Sequence, residues 1–183
     1  MNLIILGPQG SGKGTQAKLL SEKLKLTHIS TGELLRRAAK APTPKGKIIS
    51  NLLKKGTLVP FETTLEVMEP VLKTTPQGFI LDGIPRDLQQ AEHLSWILKK
   101  MKQSIDHVIF INLSRKSSYA RLLKRAKIEG RSDDTLEAIE KRLKTYHKAT
   151  KPVISYYRKQ GLVLEIDGEP DIDTIHKDIL SKI

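Results

Sequence analysis

The sequence predicts an α/β protein built on a doubly wound, five-stranded parallel sheet, and three observations predict it. An apolar run, Leu3–Leu6, breaks into the glycine-rich turn GPQGSGKGT, after which apolar residues return at helical spacing in Ala17, Leu20 and Leu24. The same grammar recurs in GFILDGIPRD, Gly78–Asp87, where Phe79–Leu81 leads into a polar turn marked by glycine and proline. DHVIFINL, Asp106–Leu113, carries no charge beyond its first residue, as a central strand buried on both faces requires.

The opening strand delivers the chain to a loop whose glycines, Gly7, Gly10, Gly12 and Gly14, remove the side chains that would hold an anion away from the backbone. Successive N–H groups can then converge on a phosphate at a helix N-terminus, and Lys13 adds a positive charge there. The spacing from Gly7 to Gly12-Lys13 fits a phosphate loop, except that Gly14 stands where a magnesium-binding Ser or Thr is expected and Thr15 follows one place later. Water or a carboxylate from elsewhere is expected to supply the difference.

A second apolar-leaning segment, Leu24–Ile29, leads into HISTGELLRRAAK, where Ser30 or Thr31 caps a short helix carrying Leu34, Leu35 and Arg36. Pro42 and Pro44 punctuate the chain, a Lys-rich helical stretch runs on to Gly56, and another helix is expected over Phe61–Lys73. This hairpin of short helices, about residues 30–60, reads as an insertion over the sheet edge. The strand at Phe79–Leu81 then places Asp82 at its C-terminal end, the edge where open parallel sheets bind ligands.

The helix after Asp82 carries Leu88, Ala91, Leu94, Ile97, Leu98 and Met101 on one side, with Trp96 assigned to packing. Gly161–Asp167 is the last strand and Asp171–Leu180 the closing helix. No internal repeat, low-complexity segment or long linker interrupts the chain. The 183 residues suit one compact domain.

A formal charge of +12 favours anionic partners: nucleotides, nucleic acid or a membrane surface. The absence of cysteine excludes disulfides and thiolate zinc sites. The N-terminal apolar run is too short for a signal peptide and no stretch reaches the length of a transmembrane span, so a soluble, cytoplasmic protein is expected.

Arg121 and Arg125 lie four residues apart in SYARLLKRAKIEGRSDD and share one helical face, where like charges repel unless something anionic lies between them. Arg131 follows, and Arg142 flanks the stripe Leu136, Ile139, Leu143 and Tyr146 of the next helix, so it can point towards a cleft. Four arginines with a phosphate loop suit phosphoryl transfer, which works by positioning and by neutralising charge on the transferred group. Asp133 and Asp134 are expected to cap the helix after them and to anchor these arginines. Asp82 is the candidate for holding magnesium, directly or through water. The five histidines, His28, His93, His107, His147 and His176, show no metal-ligand spacing and read as structural or exposed.

From Met1 to about Asp167 the chain resembles the adenylate kinase branch of the nucleoside monophosphate kinases. The motifs that carry the resemblance are GPQGSGKGTQ, ISTGELLR, GFILDGIPRDLQQAE, and RLLKR followed by GRSDD and KRL. The resemblance implies reversible, magnesium-dependent transfer of the γ-phosphoryl group of ATP to AMP, giving two ADP, on a P-loop NTPase-like core with a helical AMP-binding insertion and a closing lid. By motif, Gly10, Ser11, Gly12, Lys13, Gly14 and Thr15 hold the ATP phosphates, and Arg121 lies against the ATP base. Thr31, Arg36, Val59, Gly83, Arg86 and Gln90 form the AMP pocket, while Arg125, Arg131 and Arg142 gather on the phosphates.

Only Ala126–Gly130 separate Arg125 from Arg131, so the lid, about residues 125–132, is of the short type and carries no zinc. Gln9, Glu33 and Ile84 depart from the family pattern and are expected to adjust packing or loop stiffness. A monomer is the family default. The nearest rival is a UMP/CMP kinase, opposed by Thr31 and by Gln90, whose amide can pair with an adenine edge. The rival from another class is a nucleic-acid-binding protein, opposed by the scarcity of aromatic residues and by acidic residues interspersed with the basic ones.

Overall fold

The computed structural model describes residues 1–75, 77–129 and 135–183. Its strands β1 (Asn2–Leu6), β2 (Thr27–Ser30), β3 (Phe79–Asp82), β4 (His107–Asn112) and β5 (Val163–Asp167) form one parallel sheet of order β2-β3-β1-β4-β5. The first strand is therefore central, and its five residues are all buried.

An uninterrupted apolar strand still has two faces, and alternate residues divide between them. Ile4 and Leu6 of β1 join Phe79, Leu81 and Val108 in one core, beneath α4 (Phe61–Leu72), α5 (Leu88–Lys100) and α8 (Lys151–Arg158). Leu3 and Ile5 join Ile80, Ile109, Ile111 and Ile166 in the other, beneath α1 (Lys13–Leu24) and α9 (Ile172–Lys182). Leu3, Ile4 and Ile5 are fully buried, and each such side chain contributes roughly 1.5–3 kcal/mol relative to exposure. This double winding is the fold class expected from the alternation of apolar strands and helices.

Between β2 and β3 lie α2 (Thr31–Ala39), α3 (Pro44–Lys54) and α4. Ser30 is the N-cap of α2, accepting from the Glu33 amide, and Thr43 caps α3 with Pro44 in its first turn. Leu35, Ile49 and Val59 make a small core of their own within this segment. After β4 come α6 (Arg115–Glu129) and α7 (Leu136–Thr145), joined to α8 by a π-helical turn, Tyr146–Thr150.

Three local expectations are corrected. The cap of α7 is Thr135, whose hydroxyl accepts from the Ala138 amide at 3.2 Å, so neither Asp133 nor Asp134 has that role; both lie outside the described residues. Trp96 is 53% exposed, with Lys100 Nζ 3.4 Å from its ring centroid and the His93 ring at its edge, because Leu94 and Leu98 take the inward face of α5. Leu88 and Leu136, at the first turns of α5 and α7, are exposed ends of their stripes rather than core.

Candidate active site

The site is built where β1 and β3 end side by side. Ile5 pairs with Asp82 in the sheet register, and the chain leaves β1 into the loop two residues later. Gly10 and Gly12 adopt φ of 82° and 88°, the left-handed region that a side chain disfavours. Gly12 is the N-cap of α1, and no side chain caps that helix. The N–H groups of its first turn are thus left to an anion.

Lys13 folds back over its own loop, donating from Nζ to the carbonyls of Gly7 and Pro8, each at 2.8 Å. Part of the side chain stays open to the cleft, yet desolvation around the ammonium pushes its pKa down to about 8, against the raising influence of Asp82. A phosphate arriving here would favour the charged form.

Asp82 is nearly buried, and its Oδ2 faces the loop at 3.5 Å from where a Cβ on Gly14 would be. His28 Nε2 lies 3.5 Å from the same oxygen. The β2–β3 register explains this, since Ser30 pairs with Asp82 and His28 stands two residues before it on the same face. Thr31 supports the strand end by donating its hydroxyl to the Asp82 carbonyl at 3.1 Å.

The arginines come from four separate elements. Arg86, in the turn after β3, donates from Nε to the Gly83 carbonyl at 2.7 Å, while its amide donates to Gln90 Oε1 at 2.8 Å. Thr150, at the end of the π-helical turn, donates its hydroxyl to the Arg86 carbonyl at 2.8 Å. Burial lowers the pKa of Arg86, and the neighbouring Arg142 and Arg36 lower it further against the attraction of Asp82. Arg142 donates from Nη2 to the Leu53 carbonyl at 3.2 Å. Lys13, Arg36, Asp82, Arg86, Arg125 and Arg142 all line one cleft of about 630 Å³.

Such a concentration of cations, against the carboxylates of Glu33 and Asp82 alone among the described lining residues, is a receptor for a polyanion. A second cavity, of about 610 Å³, lies on the other side of the loop between Gly10–Gln16 and Pro170–Asp173. Arg121 borders both, with its guanidinium held by the carbonyls of Gly168 and Glu169 at 2.9 and 3.0 Å.

The family model described as adenylate kinase matches residues 5–162. The chain belongs to the adenylate kinase family. It is 41% identical over 186 residues to the adenylate kinase of Stenotrophomonas maltophilia (strain K279a), covering 100% of this chain and 99% of that protein. It is 36% identical over 184 residues to adenylate kinase isoenzyme 1 of Bos taurus, covering 99% and 93%, and 38% identical over 180 residues to that of Rattus norvegicus, covering 97% and 91%.

Within this adenylate kinase fold the residues singled out from sequence are distributed over the cleft, the second cavity and the layer behind the cleft surface. Gly10, Gly12, Lys13, Gly14, Thr15, Arg36, Asp82, Gly83, Arg86, Arg121, Arg125 and Arg142 border the cleft. Ser11 borders the second cavity. Thr31, Val59 and Gln90 are buried behind the cleft surface: Thr31 bonds to Asp82, Val59 packs with Leu35 and Ile49, and Gln90 bonds to the Arg86 amide. Arg131 lies outside the described residues.

Sequence reasoning missed His28 beside Asp82, and also Leu53, Thr57, Thr145, Tyr146 and Thr150 on the cleft walls. Most of these act through backbone or through position at a helix junction, which residue type does not signal. Tyr146 does carry a signal, being the polar-ended member of an apolar stripe; burial pushes its phenol pKa up. Among the described residues no group of three His, Asp or Glu side chains comes together as a metal site, and no helix is long and apolar enough to cross a membrane.

Proposed function

We propose that the cleft carries reversible transfer of the γ-phosphoryl group from ATP to AMP, giving two ADP. The observation that carries this reading is the convergence of Lys13, Arg36, Arg86, Arg125 and Arg142 around Asp82 in one cleft. Family membership supports the substrate pair.

On this reading the loop amides and Lys13 bind the β- and γ-phosphates of ATP, with the base in the second cavity against Arg121. AMP enters from the side of α2 and α3, its phosphate held by Arg36 and Arg86. Arg142 and Arg125 lie between the two and neutralise the charge that spreads over the transferred group. An AMP phosphate oxygen forms the new P–O bond as the bond from Pγ to the β,γ-bridging oxygen breaks, and ADP leaves. The attacking oxygen carries no proton, so no general base is required.

Magnesium arrives with ATP as part of the substrate. A hard carboxylate oxygen facing the phosphate loop fits that ion, and Asp82 would hold it directly or through water, with phosphate oxygens completing the shell. The ion supplies further charge neutralisation. Thr31 and Gln90 support the acceptor pocket from behind, through Asp82 and Arg86 respectively. The reading includes a monomer acting in the cytoplasm, on the resemblance alone.

The test uses ADP as the sole nucleotide, with magnesium. ATP and AMP appearing in equal amounts is the expected result, since two ADP can occupy the donor and acceptor places. A UMP/CMP kinase or a nucleic-acid-binding protein would leave ADP unchanged, and that outcome would overturn the reading.

A further inference from the structure

Helix α7 reaches across to the last turn of α3 and the residues just after it at three places. Arg142 Nη2 donates to the Leu53 carbonyl at 3.2 Å, and the preceding residue, Lys141, donates from Nζ to Thr57 Oγ1 at 2.8 Å. Between these bonds the two backbones themselves meet: a Cβ on Gly56 would lie 2.8 Å from the Ala138 carbonyl oxygen and 3.0 Å from its Cα. Only a residue without a side chain allows that approach. Gly56 and Ala138 are both buried by it.

Leu53 and Thr57 line the cleft on one wall, and Arg142, Thr145 and Tyr146 line it on the other. Lys141 itself is exposed and does not border the cleft. Its ammonium nonetheless ties the first wall to the helix that carries Arg142.

We propose that Lys141 is a positioning residue for the acceptor nucleotide, latching the Leu53–Thr57 segment onto α7 through the Thr57 hydroxyl, with Gly56 as the seat where the backbones meet. The inference rests on the acceptor reading given above. Lys141 acts from outside the cleft; it raises the fraction of molecules in which the acceptor wall already faces Arg142. Apparent affinity for a ligand scales with that fraction, so loosening the latch weakens AMP. ATP, seated on the loop between Gly10 and Gln16, does not require the Leu53–Thr57 wall.

The experiment measures initial rates with AMP varied at saturating magnesium ATP, and with ATP varied at saturating AMP. The proteins are wild type, Lys141→Met, Thr57→Val, the double variant and Thr57→Ser. The expected result is a rise of roughly three- to tenfold in the AMP KM for Lys141→Met and for Thr57→Val, the scale of one hydrogen bond lost at an exposed site. The ATP KM stays unchanged. The double variant is no worse than the worse single one, because both remove the same bond. Thr57→Ser, which keeps the accepting oxygen, restores the AMP KM.

An AMP KM unchanged in Lys141→Met, a parallel rise in both KM values, or additive losses in the double variant would overturn the latch. Should Lys141→Met not fold, Thr57→Val against Thr57→Ser decides the same question. Wild type that makes no ADP from AMP would instead overturn the acceptor reading, so the two failures are distinct.

Discussion

The carboxylate of Asp82 faces the space into which a side chain on Gly14 would extend, its Oδ2 lying 3.5 Å from where that Cβ would be. A Cβ alone is tolerated at this distance, but a hydroxyl one bond further would meet the same oxygen. The glycine that departs from the usual Ser or Thr of a phosphate loop is thus matched by a carboxylate delivered from the end of β3.

Asp82→Asn keeps the shape and the His28 contact while removing the charge. We expect turnover to fall and the magnesium concentration needed for half-maximal rate to rise by about 10–100-fold, the range for loss of a group that holds or orients a metal's ligands. Initial rates across a magnesium titration check this. An unchanged magnesium dependence would separate Asp82 from the ion.

Arg86→Ala removes a guanidinium already oriented by the Gly83 carbonyl. The AMP KM is expected to rise by about 10–100-fold, corresponding to roughly 1.5–3 kcal/mol for a hydrogen bond between charged groups, while the ATP KM changes little. Titrating each nucleotide separately distinguishes this from a general loss of the site.

Lys13 makes ATP binding pH-dependent. Its pKa in the free protein, about 8, lies below the ordinary lysine value of 10.5, so the fold disfavours its own ammonium. Stability is therefore lowest below pH 8 on this account and rises between pH 8 and 10.5, where the unfolded chain binds the extra proton. Phosphates reverse that preference. ATP binding is expected to take up a proton above pH 8 and to weaken by up to about tenfold per pH unit there. Calorimetry in buffers of different ionisation enthalpy measures the uptake, and Lys13→Met should abolish it.

Asp87 caps α5, accepting from the Gln90 amide at 2.9 Å. Asp87→Ala should cost about 1 kcal/mol of stability, read as a lower urea midpoint with an unchanged slope. Gln90 is the residue that holds the Arg86 amide, so the AMP KM should rise as well. A stability loss with no change in AMP kinetics would show that the cap and the acceptor pocket are independent.

The fold was legible because its signals are local and repeated: an apolar strand, a glycine turn and an amphipathic helix, with DHVIFINL too uncharged for anything but a central strand. Leu3 and Ile5 against Ile4 and Leu6 show what remained hidden, since a strand buried on both faces has no polar alternation to reveal which core each residue enters. The loop glycines, Lys13, Asp82 and the arginines announced themselves by residue type and spacing. His28 did not, because only the register of β2 against β3 brings it to Asp82.

Residue type does not single out Thr135 as the cap of α7, because the two aspartates before it in the sequence have the same capping chemistry. The exposure of Trp96 is not legible from its apolar character, which says nothing of which way a helix turns once Leu94 and Leu98 have claimed the core. The π-helical turn that brings Thr145, Tyr146 and Thr150 to the cleft has no periodicity a helical pattern would expose.

The most direct test of the account is product analysis by chromatography after mixing the protein with magnesium ATP and, separately, AMP, CMP, UMP, GMP or no acceptor. ADP formed at twice the AMP consumed, with little turnover in the other mixtures, is the predicted result. Loss of ATP without any acceptor, or a preference for CMP or UMP, would contradict it.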